Sequence, residues 1–401
     1  MRIFNRYVIR EHVAPFFFAF SVIMFVFILK LMLDIMDMVI SKDVNIIILA
    51  KLLWYNLAWM IALVVPMSVL VATVMAFGRM GASGEVTAMK ASGLSMFRIA
   101  FPIIGISILI TMFMIWFNNV VLPQSNYKAT SLNAAIFLKK PMLSLKNKER
   151  QFISDIQNIT IRVDSIDYQT EEMNGITLFK REKGTKQTAI RAEKGRFISS
   201  PNTSFLTLAL KNGEIHQIDD KISDRYIRTQ FKDFKYTIEF DSRLDTSHRA
   251  SQSDRTKTSD VMRAEIDTLK AINARNLKRI ESLSGEENVN KARILNFQRD
   301  IDSNNKNISK KLIEIHKKNS IPFGAIIFVL VGAPLGILVR RSGVSIGIGM
   351  SIGFFMLYYL FLIGGESAGD RMLVDPWLAM WAPNLILGPL GILLFIYATR
   401  R

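Results

Sequence analysis

Six stretches of the sequence are apolar over about the length that a membrane crossing requires. A helix needs roughly 20 apolar residues to cross the hydrocarbon core of a bilayer. The sequence therefore predicts an α-helical membrane protein with six transmembrane helices rather than a soluble globule or a disordered chain. The predicted membrane segments are residues 13–36, 52–77, 99–122, 321–339, 344–364 and 377–398.

Charged residues are concentrated between the third and the fourth of these segments. Residues 123–319 contain 37 of the 51 Lys and Arg residues and 26 of the 34 Asp and Glu residues. This distribution predicts one large insert in water, with three membrane helices before it and three after it. The net charge of +17 would also fit nucleic-acid binding. We expect no nucleic acid, because the basic insert contains no recognised binding module.

The short loops carry an asymmetric distribution of Lys and Arg. With the N-terminus inside, ten basic residues fall on the cytoplasmic side and three on the outer side. Because cytoplasmic loops are enriched in these residues, we expect both termini to be cytoplasmic and the insert to lie outside. The ten are Arg2, Arg6, Arg10, Arg79, Lys90, Arg98, Arg340, Arg341, Arg400 and Arg401, and the three are Lys42, Lys51 and Arg371.

The first part of the insert, residues 151–240, has the pattern of short β-strands. Apolar and polar residues alternate, and Gly and Asn-Gly pairs interrupt the runs. The stretch around Asn212-Gly213 predicts a β-hairpin, since Asn-Gly supplies the positive φ of a type I′ turn. We expect a sandwich, a jelly roll or an open barrel. Such a domain is either a plain scaffold or the wall of a groove for an apolar ligand.

The second part, residues 258–318, predicts a helical hairpin or short coiled coil. Two amphipathic runs without proline are separated by Ser284-Gly285. An arm of some 25 residues would reach about 37 Å at 1.5 Å per residue. The second arm is expected to continue into the fourth membrane segment, with Pro322 near the junction. The hairpin is either a solvated spacer or an arm that docks a partner.

The sequence lacks the usual signatures of catalysis. It contains no cysteine, and its four histidines show no ligand spacing. No P-loop and no HExxH motif occurs, so we expect no catalytic site, no metal and no cofactor. The interiors of the second to sixth segments contain no Asp, Glu, Lys or Arg. This argues against ion-driven transport, which usually places acids in mid-membrane.

Two short polar features stand out beside the membrane segments. The loop at 78–98 predicts a small helix over residues 85–91, because Glu85 suits a helix start and Gly93 suits a stop. It is either a plain re-entry loop or a helix that fits a cleft on a cytoplasmic partner. At the outer end of the first segment, Lys30 and Asp34 share a helix face, with Lys42 just beyond. Lys30 either meets a lipid phosphate, pairs with Asp34 or reaches the interface.

These features resemble the LptF/LptG permeases of lipopolysaccharide export. The loop GEVTAMKASGLS looks like that family's signature between helices two and three, and IPFGAIIFVLVGAPLGILVRRSG, followed by a glycine-rich helix, resembles its fourth segment. The resemblance implies a non-enzymatic ABC transporter subunit in the inner membrane of a Gram-negative bacterium. Its insert would contain a periplasmic β-jelly-roll domain whose apolar groove receives acyl chains. A lateral gate between the first helix of one permease and the fifth of the other would admit lipid.

The resemblance also implies partners and residue roles. The partners would be a second LptF/LptG-type permease chain, an LptB-type ATPase dimer, an LptC/LptA-like periplasmic bridge protein and lipopolysaccharide itself. Glu85, with Met89 and Lys90, would couple to the ATPase, on which ATP hydrolysis would occur. Lys30, with Asp34 and Lys42, would bind the substrate.

The helical hairpin departs from the family pattern and puts the tether of the β-domain in doubt. An FtsX- or MacB-like mechanotransmitting protein, or a scaffold without lipid transport, is the alternative, although those proteins place one helix before the domain and three after. The expected division of the chain is 1–122 for the N-terminal tail and helices 1–3, 123–250 for the β-domain, 251–318 for the hairpin and 319–401 for helices 4–6.

Overall fold

The computed structural model describes most of the chain and contains six helices long and apolar enough to cross a membrane. Three of them precede a β-sheet in the sequence and three follow it. The described residues are 2–40, 46–139, 145, 149–156, 159–167, 170, 172–181, 186–199, 205–219, 225–239, 253–283, 287–338 and 344–400.

The helices are named in chain order, and a short one lies between the second and third apolar helices. Their bounds are α1 Arg2–Ile40, α2 Ile46–Ala82, α3 Glu85–Ala91, α4 Met96–Lys139, α5 Ser259–Leu283, α6 Glu287–Leu338, α7 Val344–Asp370 and α8 Pro376–Arg400.

The centre of the helical part is formed by α2 and α6. In the most apolar windows of these two helices, 72% and 67% of the residues are buried, against 11% in α1 and 22% in α7. Small residues allow the close approach: the backbone of Gly336 lies against Val74 and Gly78 of α2 so tightly that an added Cβ would sit 2.7 Å from the Val74 oxygen. The helices α1 and α7 therefore present most of their apolar surface to the surroundings.

The β-domain is one six-stranded antiparallel sheet in which neighbours in sequence are neighbours in space. Short connections favour this order, because consecutive strands pair without a crossover. The described strands contain no Greek-key crossing, so the finer expectation of a jelly roll is not confirmed. The strands are β1 Ile153–Ile156, β2 Ile159–Asp167, β3 Glu172–Arg181, β4 Lys186–Ser199, β5 Phe205–Asp219 and β6 Arg225–Glu239.

The hairpin predicted at Asn212-Gly213 is wrong. These residues lie inside the continuous strand β5, which pairs along its length with β4 and β6. Asn212 does adopt the positive φ, 49°, that suggested a turn, but it uses this conformation inside the strand. Gly175 does the same in β3, with φ of 64°. The alternation of apolar residues on both sides of Asn-Gly made one strand look like two.

These residues belong to a crease that crosses the sheet. Between β2 and β6, each of the four strand pairs lacks one opposing residue pair in its ladder, and these gaps lie side by side across the sheet. The register of each strand pair is the same on both sides of its gap. At the crease the inward-facing positions step by three residues instead of two, as between Val163 and Ile166 in β2. The row of interrupted pairs runs through Asp164, Gly175, Glu193, Asn212 and Lys232.

One face of the creased sheet is a hydrophobic core. Ile161, Leu178 and Leu208 from three strands are fully buried on it. Toward β6 the same face carries aromatic side chains that are only partly buried, among them Phe231 and Phe234. The apolar face of the sheet is thus fully buried over the earlier strands and only partly buried near β6, where it carries aromatic side chains.

The helices α5 and α6 form an antiparallel hairpin. Asn273 of α5 is buried between them and exchanges side-chain hydrogen bonds with Asn304, at 2.8 Å, and Asn305, at 2.9 Å. A buried amide pair of this kind fixes the register of two helices, because any shift leaves polar groups unpaired. The helix α6 then runs without a break from the hairpin through Pro322 into the apolar segment that ends at Leu338.

Candidate functional site

The short helix α3 occupies the predicted residues, Glu85–Ala91, between α2 and α4. Gly84 precedes it with φ of 77°, and Gly93 follows it with φ of 88°, so glycine supplies the left-handed conformation at both ends. Val86 is 2% exposed and packs in a cluster with Val8 of α1, Phe77 of α2 and Phe395 of α8. Val86, the one buried side chain of α3, therefore packs this helix against α1, α2 and α8.

Glu85, the predicted coupling acid, is half-buried and accepts two hydrogen bonds. The Tyr7 hydroxyl of α1 donates to its Oε2 at 2.6 Å. The Ser83 hydroxyl donates to its Oε1 at 2.7 Å. The carboxylate is thus oriented by both α1 and the turn before α3. Sequence reasoning missed Tyr7, because a contact between residues 78 positions apart leaves no local pattern.

The two other residues predicted for the coupling helix face inward in part. Met89 is partly buried against the cluster around Val86. The Lys90 ammonium donates a hydrogen bond to the Ala398 carbonyl oxygen at 3.0 Å, near the end of α8. A cation at a helix C-terminus is favourable, because the last carbonyl groups lack partners within the helix. The structure therefore brings Glu85, Met89 and Lys90 onto one short element tied to both α1 and α8.

The start of α1 is also tied to α2. Arg79 near the end of α2 forms an ion pair with Glu11 of α1. With the bond from Tyr7 to Glu85, this pair places two polar links between α1 and the region of α3. Both links lie at the end of the helical part that carries α3.

Lys30, the predicted substrate contact, lies at the other half of α1 and is exposed. The side chain of Asp34 and the whole of Lys42 lie outside the described residues, so the predicted pairing of Lys30 with Asp34 is not tested. The apolar surface of α1 before Lys30 is open: Phe17 is 61% exposed and Phe25 is 64% exposed. Lys30 is therefore the cationic end of an exposed apolar helix face.

A polar collar surrounds α6 at the proline where the hairpin joins the apolar segment. In a regular helix the N–H of residue 322 would donate to the Lys318 carbonyl, but Pro322 has no N–H. The Asn118 amide of α4 donates to that carbonyl instead, at 3.2 Å. Thr111 of α4 donates to the Pro322 carbonyl at 3.1 Å. Side chains of a neighbouring helix thus satisfy the carbonyl that proline leaves free and hold α6 in place.

The other side of the collar comes from α7 and α8. The Ser320 carbonyl accepts hydrogen bonds from the Tyr358 hydroxyl at 3.2 Å and from the Asn384 amide at 3.0 Å. All three residues are buried. Side chains of three neighbouring helices therefore hydrogen-bond to the α6 backbone within about one turn of Pro322.

The base of the hairpin contains a cluster of buried lysines. Lys257 and Lys311 are 5% and 9% exposed, and both donate to the Glu265 carboxylate of α5, at 2.7 Å and 2.5 Å. Lys311 also donates to Asp254 at 2.6 Å. Burial alone raises the pKa of Glu265, but the hydrogen bonds from the two lysines outweigh burial and lower it. The cluster fixes the segment before α5 against α6.

No catalytic arrangement emerges from the residues that the structure describes. Among them, no group of three His, Cys, Asp or Glu side chains is placed to hold a metal ion. The residues predicted to act in coupling and in substrate binding instead lie in two different regions: α3 at one end of the helical part, and the second half of α1, which contains Lys30.

Comparison with known proteins assigns the chain to a family. A comparison with curated proteins gives no significant match. The family described as lipopolysaccharide export system permease LptF/LptG matches residues 6–397, nearly the whole sequence. Members of a permease family are in general not enzymes, and six helices able to span a membrane agree with a multi-pass inner-membrane protein. The chain belongs to the LptF/LptG family of lipopolysaccharide export permeases.

Proposed function

We propose that this chain is the transmembrane permease subunit of an ABC transporter that extracts lipopolysaccharide from the inner membrane and passes it to a periplasmic bridge. It pairs with a second LptF/LptG-type chain, and an LptB-type ATPase dimer binds at α3. An LptC/LptA-like protein receives the lipid from the β-domain. The observation that carries the proposal is the exposed apolar face of α1, which leads to Lys30.

The energetics of lipid extraction explain why such a face is useful. Exposing an acyl chain to water costs about 0.8 kcal/mol for each CH₂ group. A lipid with several acyl chains therefore needs an apolar surface at every stage of its path. The least buried apolar helices, α1 and α7, supply such surfaces within the membrane. Beyond the membrane, the apolar face of the sheet with Phe231 and Phe234 supplies the next one.

The charged groups fit the two ends of this path. Lys30 is placed to attract a phosphate of the lipid headgroup as its acyl chains lie along α1. Glu85 offers a carboxylate at the opposite end for a donor of the ATPase. ATP-driven closure of the ATPase dimer would press the two permease chains together and expel the lipid from between them.

The proposal predicts that α3 and the β-domain lie on opposite sides of the membrane, with both termini in the cytoplasm. Because the chain has no cysteine, single cysteines can be introduced without a background signal. A cysteine replacing Thr87 of α3 should react only with a thiol reagent that enters the cytoplasm. A cysteine replacing Lys211 of β5 should react with an impermeant reagent added outside. Labelling of both by the impermeant reagent in intact cells would refute the arrangement.

Substrate contact is tested by a photo-crosslinking residue at position 30. We expect a lipopolysaccharide adduct there, and a much weaker one at Leu109, an exposed position of α4. The ATPase should co-purify with the chain in the same preparation. An ATPase without a lipopolysaccharide adduct would favour the alternative, a mechanotransmitting or scaffold protein of the FtsX or MacB type. The observation that favours this alternative is the helical hairpin that continues through α6 into an apolar segment.

A further inference from the structure

The bond from Tyr7 to Glu85 is the shortest described link between α3 and α1. It joins a hydroxyl to a carboxylate at 2.6 Å, and the two residues lie 78 positions apart in the sequence. Hydrogen bonds to an ionised group are roughly twice as strong as those between neutral groups. This contact therefore constrains α1 relative to α3 more than an exposed neutral contact would.

The carboxylate has room for a further partner. An ionised carboxylate offers about four acceptor positions. Tyr7 and Ser83 use two of those on Glu85, one on each oxygen. Glu85 is only half-buried, and Tyr7 is 37% exposed, so the pair is open to an approaching donor. A protein that binds Glu85 from the cytoplasm need not displace Tyr7.

The helix that Tyr7 belongs to is the least restrained of the membrane helices. In the apolar window of α1, 11% of the residues are buried, and α1 packs mainly against α2. By contrast, α8, to which Lys90 of α3 donates a hydrogen bond, has 44% of the residues in its most apolar window buried. A displacement of α3 will therefore move α1 more readily than α8.

We propose that Tyr7 is a positioning residue that couples the ATPase-binding helix to the lipid-contacting helix: its hydroxyl remains bonded to Glu85 while the ATPase engages the same carboxylate, so that α1 moves with α3. This inference rests on the proposed function of the chain. It adds a direct mechanical link between the motor contact and α1, independent of the route through the packed core of α2 and α6.

The test is the conservative variant Tyr7→Phe in the assembled complex. It keeps the ring and removes only the hydroxyl. We expect the ATPase to co-purify as before and ATP hydrolysis to continue, while lipopolysaccharide released per ATP hydrolysed falls about tenfold, the scale of one hydrogen bond to a charged group. The matched control is Tyr55→Phe on α2, which removes a hydroxyl remote from α3 and should leave that ratio unchanged.

A double-variant cycle separates coupling from a general loss of structure. Glu85→Gln weakens both the contact to the ATPase and the bond to Tyr7. If the inference holds, Tyr7→Phe has little further effect on the release ratio in a Glu85→Gln background. A merely structural role would lower ATPase binding or thermal stability instead, and the two changes would add.

A second readout uses the distance between the two helices. Spin labels at Arg10→Cys and Thr87→Cys report the separation of α1 and α3 in the full complex. We expect one narrow distribution that shifts little when the ATPase engages, and a broader one with Tyr7→Phe. An unchanged distribution and release ratio in Tyr7→Phe, in a complex whose wild type transports, would overturn this inference alone. A wild-type complex that binds no ATPase would overturn the proposed function and this inference together.

Discussion

Removal of the Glu265 carboxylate should destabilise the base of the hairpin strongly. Glu265 is the shared partner of Lys257 and Lys311, which are 5% and 9% exposed. The variant Glu265→Gln keeps the shape of the side chain but leaves two buried ammonium groups with less compensating charge. Breaking a buried ion pair from one side typically costs about 3–5 kcal/mol. The carboxylate is 28% exposed, which reduces the expected loss to about 2–3 kcal/mol.

The measurement is hydrogen exchange of α5 and of the first half of α6 in the purified chain. A loss of about 2–3 kcal/mol predicts roughly 30- to 150-fold faster exchange through local opening. The control Asp267→Asn removes the same charge from an exposed position of α5 and should change exchange by less than about threefold. Equal effects of the two substitutions would show that net charge, rather than the buried cluster, explains the result.

The direction of the pKa shift gives the pH dependence of the same region. Because the pKa of Glu265 is lowered in the folded chain, its stabilising contribution is present above the ordinary pKa of a glutamate. It is lost as the pH falls through the lowered value. After correction for the slower intrinsic exchange at low pH, the protection of α5 should therefore decrease in acid for the native chain, and this decrease should be smaller in Glu265→Gln. The double variant Glu265→Gln with Lys311→Met should recover part of the stability, since it removes one of the two buried cations that lose the Glu265 charge.

Three further substitutions test the packing, each by thermal unfolding of the purified chain. Gly336→Ala places a Cβ 2.7 Å from the Val74 oxygen and should lower stability by about 1–3 kcal/mol, whereas Gly349→Ala meets nothing within 4 Å and should be neutral. Gly213→Ala places a Cβ 2.2 Å from the Arg191 oxygen and should disrupt the sheet by about 1–3 kcal/mol or more; normal stability would contradict the observed pairing of β4 and β5. Asn118→Leu leaves the Lys318 carbonyl unpaired at Pro322 and should cost about 1–3 kcal/mol, while Asn56→Leu, which removes two bonds at partly buried positions within its own helix, should cost less.

The long apolar helices could be predicted from the sequence because their signal is local. A run of about 20 apolar residues has one stable solution in a bilayer, a helix that satisfies its own backbone. The short helix α3 could also be predicted from the sequence, since an acid after Gly84 and a glycine at 93 mark its two ends. The continuity of α6 through Pro322 followed from the proline-free amphipathic pattern before it.

The course of the strands inside the β-domain could not be predicted from the sequence in the same way. Asn212-Gly213 has the chemistry of a turn, and only pairing with β4 and β6 on either side reveals a crease inside one strand. A weak signal existed: the inward apolar positions step by three residues at the crease in several strands, as between Val163 and Ile166. This step is invisible in one strand alone, where it looks like an irregular alternation.

The polar contacts of the site depend on residues far apart in the sequence. The bond from Tyr7 to Glu85 and the bond from Asn118 to the Lys318 carbonyl each join different helices. Hydrophobic periodicity places a helix in the membrane but does not fix its rotation against a neighbour. The resemblance of the loop signature selected Glu85, and only the packed structure shows which group holds it.

The most direct test of the proposed function is ATP-driven transfer in proteoliposomes. The chain, its partner permease and the ATPase would be reconstituted with lipopolysaccharide, and transfer to a soluble bridge protein would be followed after ATP is added. We predict ATP-dependent transfer that is lost in Glu85→Ala and greatly reduced in Lys30→Glu. Transfer at the same rate without ATP, or ATP turnover without any lipopolysaccharide leaving the vesicles, would contradict the assignment of this chain as the permease.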